Sequence, residues 1–434
     1  MIFVPTDLVS LLVLLMTMLL AWITTQHYLA PCKNFPPGPW GLPIIGSFMY
    51  FGSDIHTDMM KLSKKYGDVY SLKMGSHTAT VVSGVKAIQE CLVQKGNDFA
   101  DRPDTWTIGL FNPRCEGIVR GHFDNKWQHR RQFAHATLRS FGFGKTCMES
   151  KICEEILFLL DEFRDIQNQP INAGNIINRS VSNIICSITF GKRFKYSDPN
   201  FIFIVDILGK CFESHGKVYV LDFLPFVRPF NQSNIKTFIA TRKDVEKFCK
   251  QQIDEHREVF DPNHIGDFID ACLAERTKHN SKVDFTDDQL KFMLVDIFGA
   301  GTETVVTTLI WGLLFMVLHP EIQEIVYNEL DQVVGANRLP RLNDRKHLPY
   351  TEATLLEIQR IGSILPFALP HRALRDTTLG GYNIPSGTAV TILLWSIHRD
   401  PNTWPDPDKF DPMRFYDEKN NTVKKSENFM PFLQ

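Results

Sequence analysis

KFMLVDIFGAGTETVVTTLIWGLLFMVLHP, residues 291–320, is the stretch that decides the fold. Its apolar positions recur at helical spacing, and Pro320 ends it because proline has no backbone N–H with which to continue a helix. The apolar run after Glu303 is too short to cross a bilayer, and Asp296 and Glu303 interrupt the rest. A buried helix through a large core is therefore expected. Its centre is unusual for such a helix. Gly299 and Gly301 each cost roughly 1 kcal/mol against alanine, while Thr302 and Thr304 can bond back to carbonyls one turn earlier and bend it. Glycine lets something flat approach the backbone, and a distorted turn frees a hydroxyl beside the Glu303 carboxylate. The alternative is a glycine-weakened helix with a surface acid.

Around this helix lie 434 residues, 44% hydrophobic and 22% charged, an ordinary globular composition. A formal net charge of −2 gives no overall pull toward nucleic acid, which is not expected as a partner. Nine cysteines at irregular spacing, with no CxxC, read as reduced thiols facing the cytosol. Helical patterning dominates over 57–66, 126–141, 148–163, 235–259, 285–318 and 320–334. Short strand-like stretches fall at 68–74, 78–82 and 388–395. Strand and helix do not alternate regularly, so the expected class is mainly α with small β-sheets.

The N-terminus stands apart. LVSLLVLLMTMLLAWI, residues 8–23, runs for 16 residues without a charge. That is just short of the roughly 20 needed to span a bilayer, with Trp22, His27 and Tyr28 placed for the interface. A cleaved signal peptide would want a basic residue before the run, yet the first charge is Asp7. Lys33 follows the run, which favours a cytosolic remainder. Next comes FPPGPWGLPIIG, residues 35–46, whose four prolines make a stiff, non-helical spacer. The expected organisation is a membrane anchor over 1–30, a proline-rich hinge over 31–46 and one large domain over 47–434.

Other positions could carry chemistry. TEATLLEIQR places Glu357 and Arg360 three residues apart on one helix face. Most such pairs are solvated and worth under ~1 kcal/mol, but Ala353, Leu356 and Ile358 point to partial burial. A buried pair needs further partners, and Arg414 in FDPMRF could dock on Glu357. KWQHRRQF sets Trp127 and Arg131 on one face, an indole donor and a guanidinium that suit an anionic group on a planar ligand. The alternative is a basic amphipathic surface helix. His371 and Arg102 are further candidate donors, and Leu110, Phe111, Phe298 and Phe367 promise an apolar pocket.

In order along the chain stand an anchor with PPGP, W-x-x-x-R, A-G-x-E-T, E-x-x-R and F-x-P-x-R-F. With these the sequence resembles the microsomal cytochrome P-450 monooxygenases along essentially its whole length. IVRGHFDNKWQHRRQF, HLPYTEATLLEIQRI and LWSIHRDPNTW resemble that group's second family. VSNIICSITFGKRF, TLRSFGFGK and GANRLPRL are most similar to its U subfamily, which hydroxylates long-chain fatty acids.

The resemblance implies the cytochrome P-450 fold and insertion of one oxygen atom from O2 into an apolar small molecule, a long-chain fatty acid by subfamily. It implies haem b (iron protoporphyrin IX) on a cysteine thiolate, which favours O–O cleavage. Electrons would come from NADPH through an NADPH–cytochrome reductase, with cytochrome b5 as a further partner. The implied location is the lipid membrane of the endoplasmic reticulum, cytosolic face, or a mitochondrial membrane. By position, Thr304 and Glu303 match the residues that help deliver protons, and Ala300 and Gly301 the widened turn beside them. Trp127, Arg131, Arg102 and His371 match donors to the haem propionates. Glu357, Arg360 and Arg414 match the structural triad, and Lys126, Arg130 and Arg131 make a basic face for the reductase.

The chain ends ENFMPFLQ, residues 427–434. In the family, FxPF leads into F-x-x-G-x-R-x-C-x-G, whose cysteine is the thiolate ligand. Phe429, Pro431 and Phe432 match, and then Leu433 and Gln434 close the sequence. The ligand cysteine is expected beyond Gln434, so no metal ligand is assigned within the chain; the last cysteine, Cys272, matches no ligand position. Two expectations follow: part of a working enzyme, or a truncated, inactive, membrane-anchored binding or decoy protein.

Overall fold

The computed structural model describes residues 6–28, 31–42, 44–75, 77–142, 146–166, 169–278, 285–424 and 426–431. Phe432, Leu433 and Gln434, and the side chains of His27 and Tyr28, lie outside the described residues. The chain divides into two units, Met1–Pro103 with Phe367–Ser396, and Asp104–Pro366 with Ile397–Gln434. This division differs from the one expected at residues 30 and 46, because the chain returns after residue 366 to finish the first unit's sheet.

The first unit holds helices α1 (Thr6–Tyr28), α2 (Ile55–Tyr66) and α3 (Val85–Gln89). Its strands are β1 (Val69–Met74), β2 (His77–Val82), β3 (His371–Arg372), β4 (Thr377–Leu379), β5 (Tyr382–Ile384) and β6 (Ala389–Ile392). Four of them form one sheet in the order β1-β2-β6-β3. β1 and β2 are antiparallel with Val69 opposite Val82, while β6 lies parallel to β2 with Ala389 opposite Ala79. Met59 and Leu62 of α2 pack on Tyr70, Leu72, Val81 and Leu393 of this sheet region. The proline-rich stretch is seated on β1. Ser71 N donates to Pro37 O at 2.7 Å, and a Cβ on Gly38 would come within 2.1 Å of Ser71 O. Proline carbonyls, free of any helix, are available for such pairing. Along α1 the apolar side chains from Leu8 to Leu20 are exposed.

The second unit is helical: α4 (Trp106–Phe111), α5 (Asn125–Ser140), α6 (Thr146–Asp165), α7 (Ala173–Thr189), α8 (Pro199–Tyr219), α9 (Gln232–Val259), α10 (Phe268–Arg276), α11 (Asp287–Leu318), α12 (Pro320–Val333) and α13 (Pro349–Gly362). A hairpin of β7 (Tyr416–Asp417) and β8 (Thr422–Val423) completes it. α11 runs against α7, and α8 against α9, around a core that includes Phe201, Phe238, Phe268, Leu290 and Met293. The mainly-α class read from the sequence is the class observed.

α11 opens with a reciprocal cap, in which Thr286 Oγ1 accepts from Gln289 N and the Gln289 side chain accepts from Thr286 N. It stays α-helical throughout, with no break at its glycines. Leu290, Phe292, Met293, Phe298 and Gly299 are buried. Beyond them Val305, Leu309, Ile310, Leu313, Leu314 and Val317 are exposed. The expected burial therefore holds mainly for the first half of the helix, with Val306 and Phe315 the buried positions of the second. Among the described residues α11 is the one helix long and apolar enough to cross a membrane by length and composition alone.

Candidate active site

Of the candidate residues, Arg102, His371 and Phe367 belong to the first unit and the rest to the second. In the first, the His371 ring donates from Nδ1 to Phe99 O at 2.6 Å. A carbonyl can only accept, so Nε2 keeps its lone pair and takes an N–H from Arg102 at 3.3 Å. Burial, then the Arg102 charge, pushes His371 down to about 4, and the ring is neutral at physiological pH. Arg372 beside it is paired with Asp101 at 2.8 Å. Phe367 is packed on the unit's own core.

In the second unit, Glu357 and Arg360 of α13 are both 0% exposed. Arg360 Nε and one terminal nitrogen meet the two carboxylate oxygens at 2.7 Å each. Arg360 also donates to His398 O and Pro407 O at 2.8 Å. Arg414 Nε stands 3.4 Å from Glu357 Oε1, and its terminal nitrogen donates to Asp406 O at 2.8 Å. A buried pair stays charged only if the remaining donors and acceptors are met, and this loop supplies them.

On α11 the Thr304 hydroxyl donates to Ala300 O at 2.7 Å, and Ala300 and Glu303 are exposed. The glycines serve packing. A Cβ on Gly301 would lie 2.8 Å from Ile185 Cδ1 of α7, and one on Gly299 would lie 3.0 Å from Phe212 of α8. The reading of Gly301 as an opening for a flat ligand gives way to close helix approach. Thr302 does not bond back one turn: its Oγ1 is buried without a partner, beside Asn178, Ser182 and Glu303. Phe298 is buried, stands 6.1 Å from Phe190, and lines a small apolar cavity with Val245, Phe248 and Val295. Phe111 lies 6.0 Å from Phe238 and 6.2 Å from Phe292, and the Leu110 carbonyl accepts from Arg242.

Trp127 and Arg131 share one face of α5, with the guanidinium 5.8 Å from the indole centroid. The Trp127 Nε1–H donates to Ile118 O at 2.8 Å, so a propionate would compete for it. Arg131 is exposed and has no hydrogen bond or ion pair among the described residues. Arg130 is buried and its Nε lacks an acceptor; it leaves the basic face, since its side chain turns inward. A guanidinium without an acceptor and a buried, unpartnered Nε on the same helix fit an anionic ligand.

Three groups lie where sequence reading placed nothing. Asp296 accepts from Ile118 N at 2.7 Å and Val119 N at 2.9 Å, tying this segment to α11. Burial pushes its carboxyl up to about 6, against those two amides and Arg120. Arg120 is half-buried and makes no hydrogen bond or ion pair among the described residues, while its charge acts on His215, Tyr219 and Asp296. His398 is fixed by its surroundings. Met430 N donates to its Nε2 at 3.2 Å, which leaves Nδ1–H to donate to Ser363 Oγ at 3.0 Å. None of these contacts has a local motif that could have announced it. Burial raises the Cys91 and Cys249 thiols to about 12 and holds those of Cys186 and Cys272 well above their ordinary value, so none of these four is activated.

Comparison with known proteins bears on all of this. The sequence profile of the family described as Cytochrome P450 matches residues 36–432. Cytochrome P450 2U1 of Rattus norvegicus is 35% identical over 447 residues, which covers 98% of this chain and 84% of the relative. Cytochrome P450 2J2 of Homo sapiens is 38% identical over 406 residues, 92% of this chain and 80% of the relative. Cytochrome P450 18a1 of Drosophila melanogaster is 37% identical over 431 residues, 95% and 78%. The order of motifs along the chain and these matches agree, and the chain belongs to the cytochrome P450 family of haem monooxygenases, in its second family.

Proposed function

We propose that this protein is a membrane-bound monooxygenase that hydroxylates long-chain fatty acids. The observation that carries the substrate class is Arg120. A half-buried guanidinium with no hydrogen bond or ion pair among the described residues acts by its charge on His215, which begins a row of rings, His215 5.6 Å from Phe238 and Phe238 6.0 Å from Phe111. One cation beside an aromatic wall suits a molecule with a single carboxylate and a long apolar chain. Asp296, on which the Arg120 charge also acts, and Asp222, which acts on the same His215, are already engaged by amides and by Thr107.

Bound haem would supply the reductive activation of dioxygen. The residues of this chain hold and serve it. Arg131 would bind a propionate, and Glu357, Arg360 and Arg414 keep the loop after residue 397 in place. Glu303, exposed, exchanges protons with water, and Thr304 passes them on by rotating its hydroxyl away from Ala300 O. Electrons would come from NADPH through a reductase, for which Lys126 and Arg139, both exposed on α5, offer the basic surface. α1 supports attachment to the endoplasmic reticulum. Its apolar stretch Asp7–Trp22 is shorter than a full bilayer crossing, and the exposed apolar side chains from Leu8 to Leu20 are what a membrane would cover.

The test compares palmitate with methyl palmitate by equilibrium dialysis against the haem-loaded protein. Palmitate binding should weaken at least tenfold in Arg120→Leu and survive in Arg120→Lys, with the ester unaffected. Equal palmitate binding by wild type and Arg120→Leu would remove the carboxylate from the account.

A further inference from the structure

We propose that Asp104, Cys115 and His122 form a zinc site that staples the connection between α4 and α5. Asp104 Oδ1 and His122 Nε2 are 3.1 Å apart. The ligand atoms of all three residues lie within 4.8 Å of one another. A tetrahedral zinc ion holds nitrogen and oxygen at about 2.0–2.2 Å and sulfur at about 2.3 Å, so its donors sit about 3.5 Å from each other.

The donor set selects the ion. A thiolate, an imidazole and a carboxylate are too soft a combination for magnesium or calcium and match zinc. Three protein ligands leave the fourth position to water. Binding takes the neutral imidazole, the carboxylate and the thiolate, so Cys115 releases its thiol proton to solvent as the Zn–S bond forms.

The scaffold is prepared for this. Asp104 directly precedes Thr105, whose Oγ1 caps α4 by accepting from Ile108 N at 3.2 Å. His122 stands two residues before Asp124, which caps α5 by accepting from Trp127 N at 2.6 Å. Cys115 occupies the left-handed region at φ +50°, uncommon for a residue other than glycine. Buried Asn112 holds that turn: its side chain donates to Glu116 O at 2.7 Å and accepts from Glu116 N at 2.9 Å, while its carbonyl accepts from Cys115 N at 3.0 Å. Two ligands thus abut helix caps and the third sits on a clamped turn. In another cluster, His256 with Asp267 and Asp270, the side chains serve a helix cap. Both His256 ring nitrogens are engaged, by Gln252 O at 2.6 Å and Asp267 at 2.8 Å, and Asp267 also caps α10.

The test uses the haem-loaded protein without a histidine tag, stripped by chelator and titrated with Zn2+ against a chromogenic competitor. X-ray absorption at the zinc edge then reads the ligands separately from iron. One zinc per chain is expected, with one sulfur at about 2.3 Å and the remaining ligands nitrogen or oxygen at about 2.0–2.2 Å. Cys115→Ser and His122→Ala should each weaken zinc by more than the roughly 10–100-fold that loss of an outer partner costs. Cys153→Ser, a half-buried thiol elsewhere, should leave it unchanged. On zinc addition, amide exchange across residues 112–122 should slow. Stoichiometric zinc bound through nitrogen and oxygen only, zinc retained equally by Cys115→Ser, or no binding by wild type would each overturn the proposal.

Discussion

Arg360 and Glu357 face each other through two 2.7 Å bonds with neither side chain exposed to solvent. Removing one partner leaves a charge stranded in the interior, and such losses cost roughly 3–5 kcal/mol. Glu357→Ala should therefore unfold at markedly lower denaturant, since it also deprives Asp411 N of its acceptor and Arg414 of its ion-pair partner. Equal unfolding midpoints for variant and wild type would show that the pair is not what holds this loop.

Acid should destabilise the protein before its carboxylates are titrated. Burial, then the charges of Arg360 and Arg399, pushes His398 down to about 4. The unfolded chain takes up that proton first as pH falls below about 6.5, so this stability is present above 6.5 and is lost toward pH 4. For His398, 1% exposed, the loss amounts to about 3 kcal/mol by pH 4. His215 and His371 act in the same direction. Asp296, raised to about 6, acts oppositely: its contribution is present below its ordinary value of 3.8 and fades as pH rises through 6. The upward shifts of His256 and Asp270 act with Asp296, and the three histidines pushed down to about 4 set the slope. Melting temperature should fall steadily from pH 6.5 to 4, less steeply in His398→Gln.

The approach of α11 to α7 can be probed at Gly301. A methyl there would sit 2.8 Å from Ile185 Cδ1, an overpacking that costs about 1–3 kcal/mol. Gly301→Ala should be destabilised, and adding Ile185→Val, which deletes that methyl, should recover most of the loss. Simple additivity of the two changes would mean the contact is not the reason for glycine.

Thr304→Ala should leave haem content and palmitate binding intact while diverting NADPH-derived electrons to hydrogen peroxide. The hydroxyl it deletes is the one now bonded to Ala300 O. The reading is the ratio of peroxide to hydroxylated product; an unchanged ratio would take Thr304 out of proton delivery.

How much of this was legible beforehand depended on distance along the chain. Glu357 and Arg360 are three residues apart, and α11 announces itself by period and by Pro320. α7 and α8 were missed as helices. Stretches such as SVSNIICSIT in α7 are rich in serine, threonine and β-branched residues, which favour helix weakly, and the α7 N-terminus has no side-chain cap. Gly301 was visible, but its reason was not, since Ile185 belongs to another helix. Asp296 looked like an interruption of an apolar run; its partners Ile118 and Val119 come from a loop far earlier. Arg120 was passed over because a lone arginine in a loop carries no pattern. Only the fold shows that no acid among the described residues forms an ion pair with it.

Incubation of palmitate with the protein as the cell makes it, a reductase, NADPH and isotopically labelled dioxygen tests the account most directly. Mass spectrometry of the lipid products reads the outcome. The account predicts hydroxypalmitate carrying a single labelled oxygen, formed in wild type and sharply reduced in Arg120→Leu. Palmitate recovered unchanged, or a hydroxylated product whose oxygen comes from water, would contradict it.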